Sequence, residues 1–485
     1  MSRKEPVMKR YQSFCVGIFL ALALGLGWAQ DSGGQQPADN SQAPGNVPAP
    51  AVGPNTTAGT ENPPISGLDT PSLEPQGAAA RSFLQPGVHI SQSVDSNVNG
   101  ATGSSSLTGV TRALGSLELQ RLWSNYQTSM SYIGGGAFYS SRGASTTQLH
   151  QLELDQRVLW RTGELAFRDS FSYLPEGSFG YGAYGGAGSI GSLGGSGGLA
   201  GGGLGGSSFF GPGQFASIGQ QPRISNTALV QATESLNPRS SVTLTGSYGL
   251  VHYLDNTVGF FNSRQIAGQA GYNYQLNRND QVALVYGFQS FRYPTTLGSN
   301  FTTHVINALY GHRISGRMDM VVGGGPQITL INNALTGSDT RVSVSGRASL
   351  RYRFPTTSLS LSYDHFNTSG SGLFAGATSD VARFSLNHPF SRVWNMNSDV
   401  GYTHNTRIQA VTAVNAKSYD YLYMGAGLHR QLGRNFSAYV SYQFNYLLFD
   451  GSTACGTSST TCSSNSQRHV GLIGLDWHPH PIRID

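Results

Sequence analysis

At 485 residues the chain is long enough for one large domain or two or three small ones, yet only 11% of it is charged and 64 residues are glycine, a balance foreign to soluble enzymes. The formal charge of +5 is spread too thinly to suggest a nucleic-acid partner, because no basic run or aromatic-interleaved patch accompanies it. No phosphate-cradling loop, H-E-x-x-H or Cys/His metal spacing occurs, so no cofactor, no metal and no enzymatic activity are expected.

Lys9 and Arg10 precede the apolar run FCVGIFLALALGLGWA, which ends in small residues at Gly27 and Ala29. Residues 1–30 therefore read as a secretory signal peptide cleaved near Ala29 or Gln30. Cys15 stands at the start of that run, which argues against a lipoprotein anchor. Residues 31–85, rich in Pro, Ala, Gln and Gly with few large apolar groups, read as a disordered periplasmic linker. Past residue 30 no run of about 18 apolar residues offers a transmembrane helix. The exported chain is then either soluble or a barrel.

From residue 86 the apolar period is two. In FSAYVSYQFNYLLF, Ala438, Val440, Tyr442, Phe444, Tyr446 and Leu448 share one face, while Ser437, Tyr439, Ser441, Gln443 and Asn445 share the other. Eighteen such segments can be counted between residues 86 and 478, with 16 as the lower bound. Tight turns such as SN (124–125), RTG (161–163) and SGR (315–317) take turns with longer loops. The pattern predicts an all-β fold, a transmembrane antiparallel up-and-down barrel, with short turns on the periplasmic side and long loops outside. A soluble sandwich also has period-two strands, but it would scatter its large rings. Here Trp123, Trp160, Trp394 and Trp477, with Tyr126, Phe354 and Phe436, fall on the apolar parity beside the tight-turn ends or the C-terminus. That is the interfacial belt a bilayer selects.

The strand array, the alternation of turns and loops, and the last strand HVGLIGLDW with its terminal aromatic resemble those of bacterial outer-membrane porin-like barrels. The resemblance covers residues 86–478 and is architectural, with no family-specific motif. It implies an outer-membrane location and, as partners, outer-membrane lipid, the barrel-assembly machinery and small polar solutes. One departure stands out: such barrels usually stop at their final aromatic, whereas here a tail, residues 479–485, continues past His478.

The parity opposite the lipid face carries the candidate functional residues. Arg341, Arg347, Arg351 and Arg353 alternate with serines on one strand, joined by Arg313 and Arg383 on its neighbours. Glu118, Glu153, Asp155 and Glu164 share that parity near the other wall, with Arg157 and Arg168 among them. These residues are expected to line the pore, either as two opposed charged walls that orient dipolar or anionic solutes or as salt-bridge partners of an inward-folded loop. The Gly-rich stretch within residues 176–222, about half glycine over 181–213, reads as an extracellular loop: a constriction, a contact surface or a solvated spacer. Its G-x-S-x-G, Gly194 to Gly198, lacks the strand-turn-helix setting of a nucleophile elbow. Cys455 and Cys462 lie in the last long loop and are expected to form a disulfide in an oxidising compartment. Asp169 falls on the lipid parity, which suggests a bulge or a contact with a second copy in a homo-oligomer. The functional expectation is a channel for passive diffusion of small polar or anionic solutes. A plugged adhesion or structural barrel and a conduit for polysaccharide export are the alternatives.

Overall fold

The computed structural model describes residues 82–98, 107–140, 146–176, 220–254, 261–294, 300–333, 337–354, 356–370, 373–409, 416–450 and 465–484. The expected signal peptide (1–30), all but the end of the expected linker, Gly-rich residues 177–219, and Cys455 and Cys462 lie outside them.

Each alternating segment is a strand. In chain order they are β1 (Phe83–Asp95), β2 (Thr108–Leu122), β3 (Tyr126–Tyr139), β4 (Thr147–Trp160), β5 (Gly163–Glu176) and β6 (Gln220–Asn237). Next come β7 (Ser240–Tyr253), β8 (Ser263–Gln275), β9 (Asp280–Arg292), β10 (Asn300–Ser315), β11 (Met318–Asn333) and β12 (Gly337–Arg353). The last are β13 (Ser358–Thr368), β14 (Ala377–Pro389), β15 (Trp394–Arg407), β16 (Ser418–Gln431), β17 (Phe436–Phe449), β18 (Asn465–Trp477) and the two-residue β19 (Ile482–Arg483). From β1 to β18 each strand pairs antiparallel with its sequence neighbours, and β1 pairs with β18 from Val88–Trp477 to Asp95–Val470. That last pairing closes an 18-stranded barrel. The tail past Trp477 does not hang free, because Ile482 and Arg483 pair with Leu84 and Phe83 at the start of β1.

The faces follow from the period of two. Along β18 burial alternates at every residue, with Arg468, Val470, Leu472 and Asp476 buried inward. Ile473, Leu475 and Trp477 point outward, and Ile473 is 62% exposed. Leu244, Ile266, Leu284 and Tyr442 continue this exposed apolar face round the barrel. A band of this extent suits hydrocarbon and not water, so the barrel is a membrane-spanning one.

Both rims carry amphipathic rings. At the tight-turn end the tryptophans explain polar residues that the outward parity would otherwise make anomalous. Arg121 lies over the Trp123 ring at 4.6 Å and Arg430 over Trp394 at 5.1 Å, while Trp160 Nε1 donates to Glu234 at 2.7 Å. At the loop end the rings are Tyr–His pairs. Tyr132 shares a hydrogen bond with His150, Tyr286 with His304, and Tyr442 with His469. Asp380 accepts from Tyr363 and meets His365, and Asp420 does the same for Tyr402 and His404. Asp169 is outward-facing on β5 and accepts from Asn226 Nδ2 of β6 at 3.0 Å. The strand runs through this position without a register shift.

Candidate functional site: the lumen and its loop-side constriction

On the inner wall several charged side chains meet partners on their own or adjoining strands. Asp155 and Arg168 oppose each other in the β4–β5 register. The Asp155 carboxylate accepts from Arg168 Nε at 3.1 Å and from Arg157 Nε and Nη2 at 3.0 Å each. Arg347 on β12 and Asp364 on β13 are register partners joined at 2.7 Å. Asp364 therefore turns inward while its chain neighbour His365 turns outward to Asp380, as alternation along a strand requires. Arg313 lies 3.5 Å from Asp319, and Arg351 stands across from the same Asp319 in the β11–β12 register. Arg383 sits between Ser362 and Gly401. Glu118 pairs with Ser131, which pairs with Glu153, so the three share one row. Glu164 is buried on the inner face of β5. Arg353 ends β12 opposite Ser358. Arg341 keeps the arginine parity higher on β12 but is exposed. Paired in this way, Arg347 and Asp155 contribute local dipoles to the lumen more than opposed charged walls.

A solvent-open recess runs along the inner wall, where Thr245, Gln269, Gln289, Gln327, Arg347 and Asp364 stand among the apolar Ala267, Val285, Val305 and Phe366. Its hydroxyl, amide and paired ionic groups offer hydrogen bonds to water and polar solutes.

The loop-side mouth is narrowed by a short segment that the sequence reading did not single out. β13 pairs with β12 only as far as His365–Gly346, while its pairing with β14 continues to Thr368–Ala377. Released from β12, the top of the β13–β14 hairpin turns into the barrel. Asn367 Nδ2 donates to Thr303 Oγ1 at 3.1 Å and Thr329 Oγ1 at 2.8 Å, inward hydroxyls of β10 and β11. The upper half of β12 is left with one neighbour, and Val342 and Val344 are about as exposed as any apolar residue of the barrel.

Residues 369–370 and 373–376 then lie across the mouth. Phe374, 3% exposed, packs on Tyr419 with ring centroids 5.1 Å apart and joins Tyr421, Tyr423 and Leu447. Ala375 joins Phe261, Phe291, Tyr293, Phe301, Ile331 and Ile408, and Leu373 reaches Val251 and Tyr253 of β7. One connection thus touches inner walls from β7 to β17. Gly370 (φ +79°) and Gly376 (φ +93°) bracket it in the left-handed region, and a side chain at Gly376 would run into the Phe301 ring. Two further bonds fix it to the wall: Tyr293 Oη donates to the Ser369 carbonyl and the Ile408 N–H to the Gly376 carbonyl, both at 3.0 Å. Burial pushes the Tyr293 phenol well above its ordinary pKa. The only sequence signal for this device is a Leu-Phe pair set in TSGSGLFAG.

No protein-family model matches the chain, and no curated protein is detectably related to it. Solved structures with a similar course include OpdK of Pseudomonas aeruginosa, 9% identical over 82% of this chain and 98% of that one with a TM-score of 0.40. OccAB1 of Acinetobacter baumannii is 10% identical over 82% and 96%, with a TM-score of 0.39. The ferric citrate transporter FecA is 11% identical with a TM-score of 0.39, and the match covers 80% of this chain and only 63% of FecA. Similarity at this level carries no argument about activity. The closed 18-stranded frame and its outward apolar band define the class as that of transmembrane β-barrels of porin-like architecture.

Proposed function

We propose that the protein is a channel of the bacterial outer membrane through which small polar solutes, anionic ones among them, pass by diffusion. The residues expected to line the path are Arg313, Arg347, Arg351, Arg353, Arg383, Glu118, Glu153 and Asp155, with Arg341 at the loop-side rim. The observation that carries this reading is the solvent-open recess inside a closed barrel, with the Arg347–Asp364 pair and the amides of Gln269, Gln289 and Gln327 in its lining. Residues 369–370 and 373–376 narrow the loop-side mouth. Solutes reaching the recess from outside must pass Leu373 and Phe374, so small size matters more than charge at the mouth.

A second reading, a barrel whose lumen is closed in its working state, is favoured by the burial of Phe374 and Ala375 in apolar clusters at that mouth. Liposome swelling separates the two. Proteoliposomes should swell in isotonic solutions of amino acids or monosaccharides, at a rate falling with solute size. Swelling no faster than in protein-free liposomes for every solute would favour the closed barrel.

A further inference from the structure

At the opposite, tight-turn end, the seam that closes the barrel holds a cluster that solute passage does not use. His89 on β1 and Asp476 on β18 are register partners whose side chains both turn inward, with Nδ1 and Oδ1 2.8 Å apart. Both are almost wholly buried. The other ring nitrogen, His89 Nε2, lies 2.8 Å from Ser116 Oγ of β2, which fixes the ring so that Nδ1 faces the carboxylate. His478 follows the terminal Trp477. Its backbone N–H donates to the Asn435 carbonyl at 2.8 Å, and its ring sits edge-on to His89 with centroids 5.0 Å apart. Gly87 makes room for that ring, since a Cβ there would lie 2.7 Å from His478 Nδ1. One ligand atom from each of His89, Asp476 and His478 can be chosen so that all lie within 4.8 Å of one another.

We propose that His89, Asp476 and His478 bind a divalent first-row transition ion, with Zn²⁺ the best match, across the β1–β18 seam. Two imidazoles and a carboxylate are the donor set such ions prefer, at metal–ligand distances of about 2.0–2.2 Å. The three atoms need to draw together by only about 1 Å to reach the ligand spacing those distances imply. Ser116 supplies the outer-shell partner that orients a ligating histidine through its second nitrogen. The tail is already strapped beside the site, because Gln85 Nε2 donates to the Pro479 carbonyl and β19 pairs with β1. A bound ion would therefore tie the C-terminal strand, its tail and the first strand together where the barrel closes.

The test is Co²⁺ titration of the full folded barrel in detergent, read by visible ligand-field absorption, with Zn²⁺ competition giving the affinity. One saturable Co²⁺ per barrel, displaced by Zn²⁺, is expected. His478→Gln, outside every strand, should weaken Zn²⁺ at least about 100-fold and Ser116→Ala about 10- to 100-fold, the range for lost outer-shell partners. His480→Gln should change nothing. Absence of a saturable Co²⁺ band in the folded wild-type barrel overturns the proposal. So does binding that survives His478→Gln undiminished, which would put the ion elsewhere, for example on the outward Tyr–His pairs.

Discussion

Truncating Phe374 to alanine should open the loop-side mouth without unfolding the barrel. The side chain is almost wholly buried against Tyr419 and its neighbours, and removing a buried phenylalanine side chain costs about 3–5 kcal/mol. The bonds within the segment, from the N–H groups of Leu373 and Phe374 to the Gly370 carbonyl and from Gly376 N–H to Ser369, move with it and do not hold it inward. Among what then holds it inward are the two wall bonds from Tyr293 and Ile408, each worth about 0.5–1.5 kcal/mol net, and the contacts of Leu373 and Ala375. The loss at Phe374 matches or exceeds the sum of the two bonds. At about 1.4 kcal/mol per tenfold, the inward-to-released equilibrium should shift by more than roughly a hundredfold. Because the residue belongs to a connection and not a strand, the heat-modifiable mobility of the barrel on gels should stay as in wild type. Single-channel recording should show larger unit conductance or longer open dwell times. Wild-type conductance and dwell times in a folded Phe374→Ala barrel would refute the assignment of 369–376 as the constriction.

Replacing Arg347 by serine leaves the inward Asp364 carboxylate without its partner. Reversal potentials in a KCl gradient should move toward cation selectivity, more at 0.1 M than at 1 M salt, as the screening length falls from about 10 to 3 Å. Leu361→Arg, on the outward face between Leu359 and Tyr363, should cost about 2–4 kcal/mol near mid-bilayer and lower the yield of assembled barrel; full assembly would reverse the faces. Asp95 and Arg468, both fully buried, tie β1 to β18 through more than one hydrogen bond. Arg468→Ala should destabilise by about 3–5 kcal/mol, seen as a lower heat-modifiability temperature. For Tyr293, whose folded pKa lies above the unfolded value near 10, the folded state keeps its proton after the unfolded state has lost it. The Tyr293 contribution is thus fully present below pH 10 and lost as pH rises above it. The wild-type constriction should loosen in that range, and Tyr293→Phe, already lacking the bond to Ser369, should show no such pH step.

The strands were legible because a period of two with one lipid face admits a single register, and a one-residue slip in β17 would turn Val440 and Tyr442 inward and Ser441 and Gln443 into hydrocarbon. The same rule put Arg347, Arg351 and Asp155 on the inner parity, and the belt of Trp123, Trp160, Trp394 and Trp477 marked the tight-turn rim. Partners were not legible. Asp364 meets Arg347 only because β12 and β13 come into register. His89 and Asp476 lie 387 residues apart and meet only because the barrel closes. The constriction had no period to read: Leu373 and Phe374 sit in a Gly/Ser connection, and their burial depends on walls from β7 to β17 that no local pattern brings together. Arg121 and Glu234 fall on the lipid parity near the tight-turn end, and alternation does not encode the tryptophan contacts that hold them there.

The most direct test of the account is the ion current carried by the purified wild-type barrel in planar lipid bilayers. The account predicts discrete steps of reproducible unit conductance, interrupted by closures that Phe374→Ala makes rarer. A barrel that is folded by the gel criterion yet carries no current in any preparation, with Phe374→Ala equally silent, would contradict it.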